Sequence, residues 1–212
     1  MSSNLPVGST RSRLPFWLAL AMTLLMAVLY TVLDVLQLSE PRQSLLAFIP
    51  GVVSLLALGA AGMSREACNL RLRRPSRGGM ISLGVVTVLL LPILASSSGF
   101  TGWRWLPALV YAPASGIAQE LYFRASLLPG LQRFFKGRQT PALLVHALIF
   151  IGFHLRTFQA LPTVGIALIV AVVLFLAGCG WGWQVQRDRT VVWAMIQHSL
   201  FLVLMSIFDW GS

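Results

Sequence analysis

Residues 14–38 read LPFWLALAMTLLMAVLYTVLDVLQL, an apolar run whose one ionisable side chain is Asp34. At about 1.5 Å of rise per helical residue, such a run is long enough to cross the roughly 30 Å hydrocarbon core of a bilayer. It is also far longer than the apolar region of a cleavable signal, so it predicts a retained signal-anchor helix behind Arg11 and Arg13. Six further apolar runs follow, at 44–63, 79–100, 103–131, 141–157, 162–183 and 190–208. Of the 212 residues 57% are apolar and only 10% charged, with a mean hydropathy of +0.79, whereas charged residues make up about a quarter of an ordinary soluble domain. The sequence therefore predicts an all-α polytopic membrane protein, a bundle of about seven transmembrane helices around a mid-membrane polar cavity.

Charge supplies the topology. Sixteen Lys and Arg stand against six Asp and Glu, a net charge of +10. In a soluble chain that excess would suggest nucleic acid, but here the basic residues occupy short segments between apolar runs, so no nucleic-acid partner is expected. Placing the N-terminus in the cytoplasm puts twelve of the sixteen on the cytoplasmic side, among them Arg65, Arg71, Arg73, Arg74 and Arg77 in a single loop. The expectation is a multi-pass protein of a bacterial inner membrane, N-terminus cytoplasmic and C-terminus external, with the lipid bilayer as its surroundings. Trp17, Trp103, Trp105, Trp181, Trp183 and Trp210 fall near predicted span ends, as an aromatic belt would. Two cysteines, Cys68 and Cys179, cannot build a disulfide framework, and no redox chemistry is expected.

Ionisable groups within apolar spans are the informative ones, because lipid should exclude them. Asp34 and Asp209 lie close to outer span ends, within reach of headgroup water. Glu120 and Arg124 stand four residues apart, on one helix face, and are expected to neutralise each other as a buried ion pair. A carboxylate held by Arg is a poor proton acceptor, which leaves room for a site beside the pair. Glu120, His154 and His198 fall at comparable depths on three spans and are expected to converge, whereas His146 is expected to be a satisfied interhelical donor.

The stretch Gln119-Glu120-Leu121-Tyr122-Phe123-Arg124, followed by Ala-Ser-Leu-Leu-Pro, resembles the E-E-x-x-x-R motif of the CPBP family. These are intramembrane proteases of the CAAX prenyl protease and bacteriocin-processing type. Phe150 to His154 resembles the family's F-x-x-x-H, and Gly178 to Gly182, Thr190 and His198 resemble the stretch leading to its terminal H-x-x-x-N; the likeness covers roughly 106–204. It implies a catalytic-type helical core at 105–208, joined to N-terminal helices and a basic loop at 1–104 in one integral membrane domain. It further implies an endopeptidase that cleaves a membrane-anchored or lipidated peptide with activated water. The implied catalytic positions are Glu120, His154, His198 and Gln119, with Arg124 and Phe150 as structural or orienting residues. Two positions depart from the pattern: Gln119 stands where the family has its first Glu, and Leu202 where it has Asn or Asp. An amide cannot take a proton from water. Glu120 lies about 100° further around the helix, so it replaces that base only if the helix is unwound or π-bulged. A natural variant using Glu120, an engineered inactivation, and a catalytically inactive relative that binds or protects a membrane protein all remain open.

Other chemistries fit less well. Pro113-Ala114-Ser115-Gly116 resembles a rhomboid G-x-S-G, but its first Gly is Pro113, so Ser115 is read as a helix-packing residue. Glu120, His154 and His198 have the chemistry of zinc ligands, yet they come from three spans with no ligand spacing, so no cofactor is expected. A proton-coupled transporter is disfavoured by the small size and the lack of paired halves. Gly178-x-x-x-Gly182 is read as a close helix contact. The oligomeric state is not legible. The seven-span topology predicts that a reporter fused after Ser212 reports the external side and one inserted in 71–77 reports the cytoplasm; a cytoplasmic C-terminus would contradict the span count.

Overall fold

The computed structural model describes residues 14–36, 40–95, 99–100 and 105–209. Arg11, Arg13, Trp103, Arg104 and Trp210 lie outside them, as do the side chains of Asp34 and Asp209. Helix α1 spans Phe16–Val35, α2 Glu40–Leu46, α3 Phe48–Ala60 and α4 Arg77–Ala95. The next helical stretch runs from a π turn at Pro107–Tyr111 through α5, Ala112–Tyr122, and a second π turn at Phe123–Leu127 into α6, Leu128–Phe134. Then come α7, Gln139–Phe153, α8, Leu155–Gln159, α9, Val164–Asp188, and α10, Val192–Ile207. Among the described residues four segments are long and apolar enough to cross a membrane: Phe16–Leu33, Arg42–Ala60, Arg77–Leu94 and Val164–Asp188. Gln139–Phe153 and Val192–Ile207 are shorter apolar helices. Polarity is arranged for lipid, because Leu25, Val28, Leu168 and Ile169 face outward while Glu120, Arg124, His146 and Gln184 are buried.

Two expected spans change shape. The run at 141–157 breaks at His154, whose backbone has φ −91° and ψ 20°. The reason is local: the His154 ring Nδ1–H donates to the Phe150 carbonyl at 2.8 Å, and the His154 backbone N–H turns to Ile151 instead, also at 2.8 Å. The run at 162–183 continues as helix to Asp188, which moves Trp181 away from any span end and into the core, 2% exposed. Trp181 is therefore not part of an aromatic belt. Trp17 and Trp105 do lie exposed near helix ends.

The packing places α5 between α3 and α10, and α9 between α4 and α7. Helices from both halves share one core, in which Tyr30 and Val86 join Tyr122, Phe150 and Trp181. Glycine sets the crossings. A Cβ on Gly178 would lie 3.1 Å from Phe150 Cδ1, and one on Gly180 2.5 Å from Val86 Cγ2, so alternate glycines of α9 admit α7 and α4. Gly182 completes the α7 face, where a Cβ would lie 2.5 Å from Leu143 Cδ1.

Loops on the basic side clasp one another. Leu70 bridges Thr190, and Asp188 Oδ1 accepts from the Ser76 N–H at 3.2 Å at the start of α4. Asp188 Oδ2 accepts from Gln184 Nε2 at 3.0 Å, so this buried acid, unremarked in the sequence, holds α9 to α4. At the other end Gly99–Phe100 pairs antiparallel with Phe208–Asp209.

At the crossing of α5 and α10 the close contact is with backbone. A Cβ on Gly116 would lie 2.9 Å from the Ser199 Cα and 3.0 Å from its backbone N, atoms that move only if a whole helix moves. Gly116→Ala is expected to destabilise the protein by about 1–3 kcal/mol, the usual range for overpacking. Gly59→Ala, with nothing within 4 Å of the added atom, is expected to be neutral or slightly stabilising. Thermal unfolding of the two variants in detergent decides this.

Candidate active site

Two prolines shape the helix that carries the central acid. Proline lacks an N–H and crowds the carbonyl four residues back, so a helix interior must widen or bend to hold it. Each π turn here ends two residues before such a proline: the Ala112 N–H reaches the Pro107 carbonyl ahead of Pro113, and the Leu128 N–H reaches the Phe123 carbonyl ahead of Pro129. In the second turn Pro129 has no N–H to give the Arg124 carbonyl. Asn69, buried on the basic loop, donates from Nδ2 to that carbonyl at 3.5 Å. Ser126 Oγ donates to the Leu121 carbonyl at 2.7 Å.

Between the π turns α5 is regular, and it directs Glu120 at α10. Glu120 Oε1 accepts from Arg124 Nη1 at 2.9 Å and lies 2.8 Å from His198 Nδ1. Neither Glu120 nor Arg124 has accessible surface, and His198 is 4% exposed. The expected ion pair is therefore formed, and His198 joins it. The guanidinium Nε and Nη2 have no hydrogen-bond partner. They are met instead by aromatic faces, with Arg124 Cζ 4.3 Å from the Phe150 centroid and 5.1 Å from that of Trp181.

Trp181 also stacks on the His198 imidazole, centroids 4.7 Å apart and planes inclined by 22°. The indole is held by its own N–H, which donates to Gln197 Oε1 at 2.7 Å, and the Gln197 amide donates in turn to the Leu83 carbonyl and to Thr87 Oγ1. Phe150 is the hub of the cluster, since the His154 ring packs edge-on to it at 4.7 Å and the His198 ring at 6.4 Å. His154 makes no hydrogen bond to Glu120 among the contacts described; its Nδ1 is committed to the Phe150 carbonyl.

Both histidines have a defined tautomer. A carbonyl oxygen only accepts, so His154 Nδ1 carries a proton, and the carboxylate beside Arg124 imposes the same on His198 Nδ1. Each ring in its neutral form thus presents Nε2 as a bare acceptor.

The remaining residues fall around this centre. Gln119 is 7% exposed, with Nε2 donating weakly to Ser115 Oγ at 3.4 Å and Oε1 unpartnered. Ser115 is therefore bonded to an amide and to no histidine among the described residues. His146 differs from expectation: it is fully buried, and neither ring nitrogen has a hydrogen-bond partner among the described residues. Its contacts are aromatic, edge-on to Phe123 at 6.1 Å. Among the described residues no three His, Cys, Asp or Glu side chains gather as a metal would require. Cys68 and Cys179 are free thiols, and burial pushes the Cys68 thiol up to about 11, well away from thiolate chemistry.

Sequence reasoning missed Trp181, Gln197, Asn69 and Asp188. The signal for Trp181 was its Gly-Trp-Gly setting, two small neighbours flanking a large ring on an interior helix. Asn69 was hidden because its partner carbonyl is freed only by the π turn.

Residues 101–204 match a family model described as Type II CAAX prenyl endopeptidase Rce1-like. Over this stretch the chain is similar to the CPBP family, the resemblance that its motifs carry. The match ends within α10 and contains every residue of the Glu120 cluster. No curated protein and no solved structure matches the chain. The matching family is of intramembrane endopeptidase type, and the long apolar helices of the described residues suit a multi-pass membrane bundle.

The ion pair of this core can be tested directly. Removing one member of a buried pair leaves an uncompensated charge, at about 3–5 kcal/mol. Arg124→Met is expected to destabilise by that amount, and Glu120→Gln/Arg124→Met by clearly less than the sum of the two single variants. Thermal unfolding in detergent measures the cycle, and strict additivity would show that the charges do not stabilise each other.

Proposed function

We propose that the chain is an intramembrane endopeptidase that cleaves a membrane-anchored or lipidated peptide by attack of an activated water, without a metal. The observation that carries this reading is the Glu120–His198 contact at 2.8 Å, inside a cluster where Arg124 binds the same oxygen. Glu120 Oε1 is already committed to Arg124 and to His198 Nδ1, so Glu120 serves as the orienter and His198 as the proton acceptor. Glu120 fixes Nδ1–H, Trp181 fixes the ring plane, and Nε2 takes the proton from water.

The hydroxide oxygen then bonds to the scissile carbonyl carbon, and the carbonyl oxygen gains negative charge. His198 returns the proton to the leaving nitrogen as the C–N bond breaks, giving a carboxylic acid and an amine. His154 sits across Phe150 as the second imidazole, with Nε2 left as an acceptor for a substrate N–H or for water. The Gln119 amide offers a hydrogen-bond donor beside the acid but no base. A divalent cation is disfavoured at this carboxylate because Arg124 already stands 2.9 Å away. The bundle is assigned to a bacterial inner membrane, N-terminus cytoplasmic, on its charge asymmetry.

A second reading rests on Gln119 and Leu202, which stand where a catalytic acid and a polar residue occur in the family pattern: a catalytically inactive relative that binds or protects a membrane protein. Purified protein in detergent or liposomes is assayed against lipidated and transmembrane peptides in three forms, unmodified, Gln119→Glu and His198→Ala. The endopeptidase reading expects cleavage by the unmodified form, unaffected by chelators and serine reagents and reduced at least about 100-fold in His198→Ala, the lower range for loss of a general base. Cleavage only in Gln119→Glu would identify a disabled enzyme, and no cleavage in any form would favour the binding protein.

A further inference from the structure

A cavity of about 380 Å³ opens at the basic end of the bundle, where the ends of α3, α6, α7 and α9 meet. It shares no residue with the Glu120 cluster. Its polar lining is Ser64, Gln132, Arg133, Gln139 and Arg189, and it contains no Asp or Glu. Arg133 is held in place by donation to the Ala61 carbonyl at 3.2 Å and by the Phe16 ring, 4.4 Å from Cζ, which leaves further N–H groups of its fork to serve a ligand. Arg189 ends α9 in the left-handed region, φ 55°, and its guanidinium has no hydrogen-bond or ion-pair partner among the described residues. The acid nearest in sequence to the lining loop, Glu66, is engaged by Arg71 and Arg73 and does not neutralise either arginine.

A second cavity, about 370 Å³, shares Met63 and Ser64 with the first and runs along α3 past Leu55, Leu56 and Gly59. Its surface is mainly apolar; Leu56 is 69% exposed, and the space over Gly59 is open. An oxyanion seat continuous with an apolar track matches one kind of molecule. The geometry points to a binding site for an anionic phospholipid, its phosphate between Arg133 and Arg189 and an acyl chain along α3. The floor of the seat is α6, continuous through the second π turn with the helix that carries Glu120, so the lipid braces the basic end of that helix.

The test titrates short-chain phosphatidylglycerol into the full chain in detergent, reading the thermal unfolding midpoint, with phosphatidylcholine of equal chain length and inorganic phosphate as parallel probes. Saturable stabilisation by phosphatidylglycerol over phosphatidylcholine is expected. Arg189→Gln and Ala67→Glu, the latter placing an acid in the seat, should each weaken apparent binding about five-fold, roughly the effect of one basic residue at an anionic surface. Arg74→Gln, which removes an exposed charge outside the cavity, should leave binding unchanged. Gly59→Leu should weaken the lipid but not inorganic phosphate. Equal weakening by Arg74→Gln and Arg189→Gln, or equal binding of phosphatidylcholine, would overturn the site. Phosphate matching the lipid, with Gly59→Leu without effect, would overturn the lipid and leave a soluble oxyanion as the ligand. Circular dichroism checks that each variant is folded, and Ala67→Glu and Arg189→Gln act on different elements, so one misfolded variant leaves the other to decide.

Discussion

The Glu120–Arg124 pair is the constraint around which the bundle is arranged. Withdrawing two charges from water costs several kcal/mol for each, and attraction repays this only where geometry and further polar partners are supplied. Arg124 bonds its acid with Nη1 alone, and the rest of its fork lies against the faces of Phe150 and Trp181. Those rings come from α7 and α9, and the second bond to Glu120 comes from α10. Four helical segments must therefore converge for one pair to be tolerated. The glycines follow from this demand, since Gly116 brings α10 close to α5, and Gly178 and Gly182 bring α7 close to α9.

The same demand explains an otherwise costly backbone. Two π turns and two interior prolines would weaken an isolated helix, and here they widen the stretch at both ends of the regular turns that hold Glu120. The carbonyls released by widening are not left bare: Asn69 takes that of Arg124, and Ser126 that of Leu121. Because Asn69 also accepts from the Val191 N–H at 3.0 Å through its own carbonyl, the basic loop links the π turn to the start of α10. A loop that looks in sequence like a topology signal is thus also a support for the site.

How much of this is legible in the sequence depends on the range of the interaction concerned. The membrane bundle follows from long apolar runs, and the ion pair from a four-residue spacing, both local signals. The approach of His198 to Glu120 was reachable through depth along the spans and through the family motif order. His154 was placed inside a continuous span, because the capture of the Phe150 carbonyl by its own ring is a rotamer-level event. Trp181 was misplaced for a different reason: the helix outlasts its apolar run by polar residues such as Gln184 and Asp188, which are buried against α4 and the basic loop rather than marking an exit to water. His146 was expected to bond across helices, yet its pocket is lined by Phe123 and the Gly182 surface, and packing rather than hydrogen bonding holds it.

Residues 119 and 120 show why adjacent positions in a helix are not interchangeable. Their side chains diverge by about 100°, and only Glu120 lies on the line that joins Arg124 to His198. An acid bonded to both of these is fixed in position, which suits it to hold an imidazole in one tautomer. An acid at 119 would lie outside that pair and remain free to accept a proton. In the family pattern the two acids can thus divide orientation from proton transfer. With Gln119 the orienting half persists in full, down to the stacked indole behind the imidazole, while the second proton acceptor is absent. On the proposed reading the proton of the attacking water goes to His198 Nε2, and the hold of Gln197 on Trp181 and of Trp181 on that ring is what such a reliance requires.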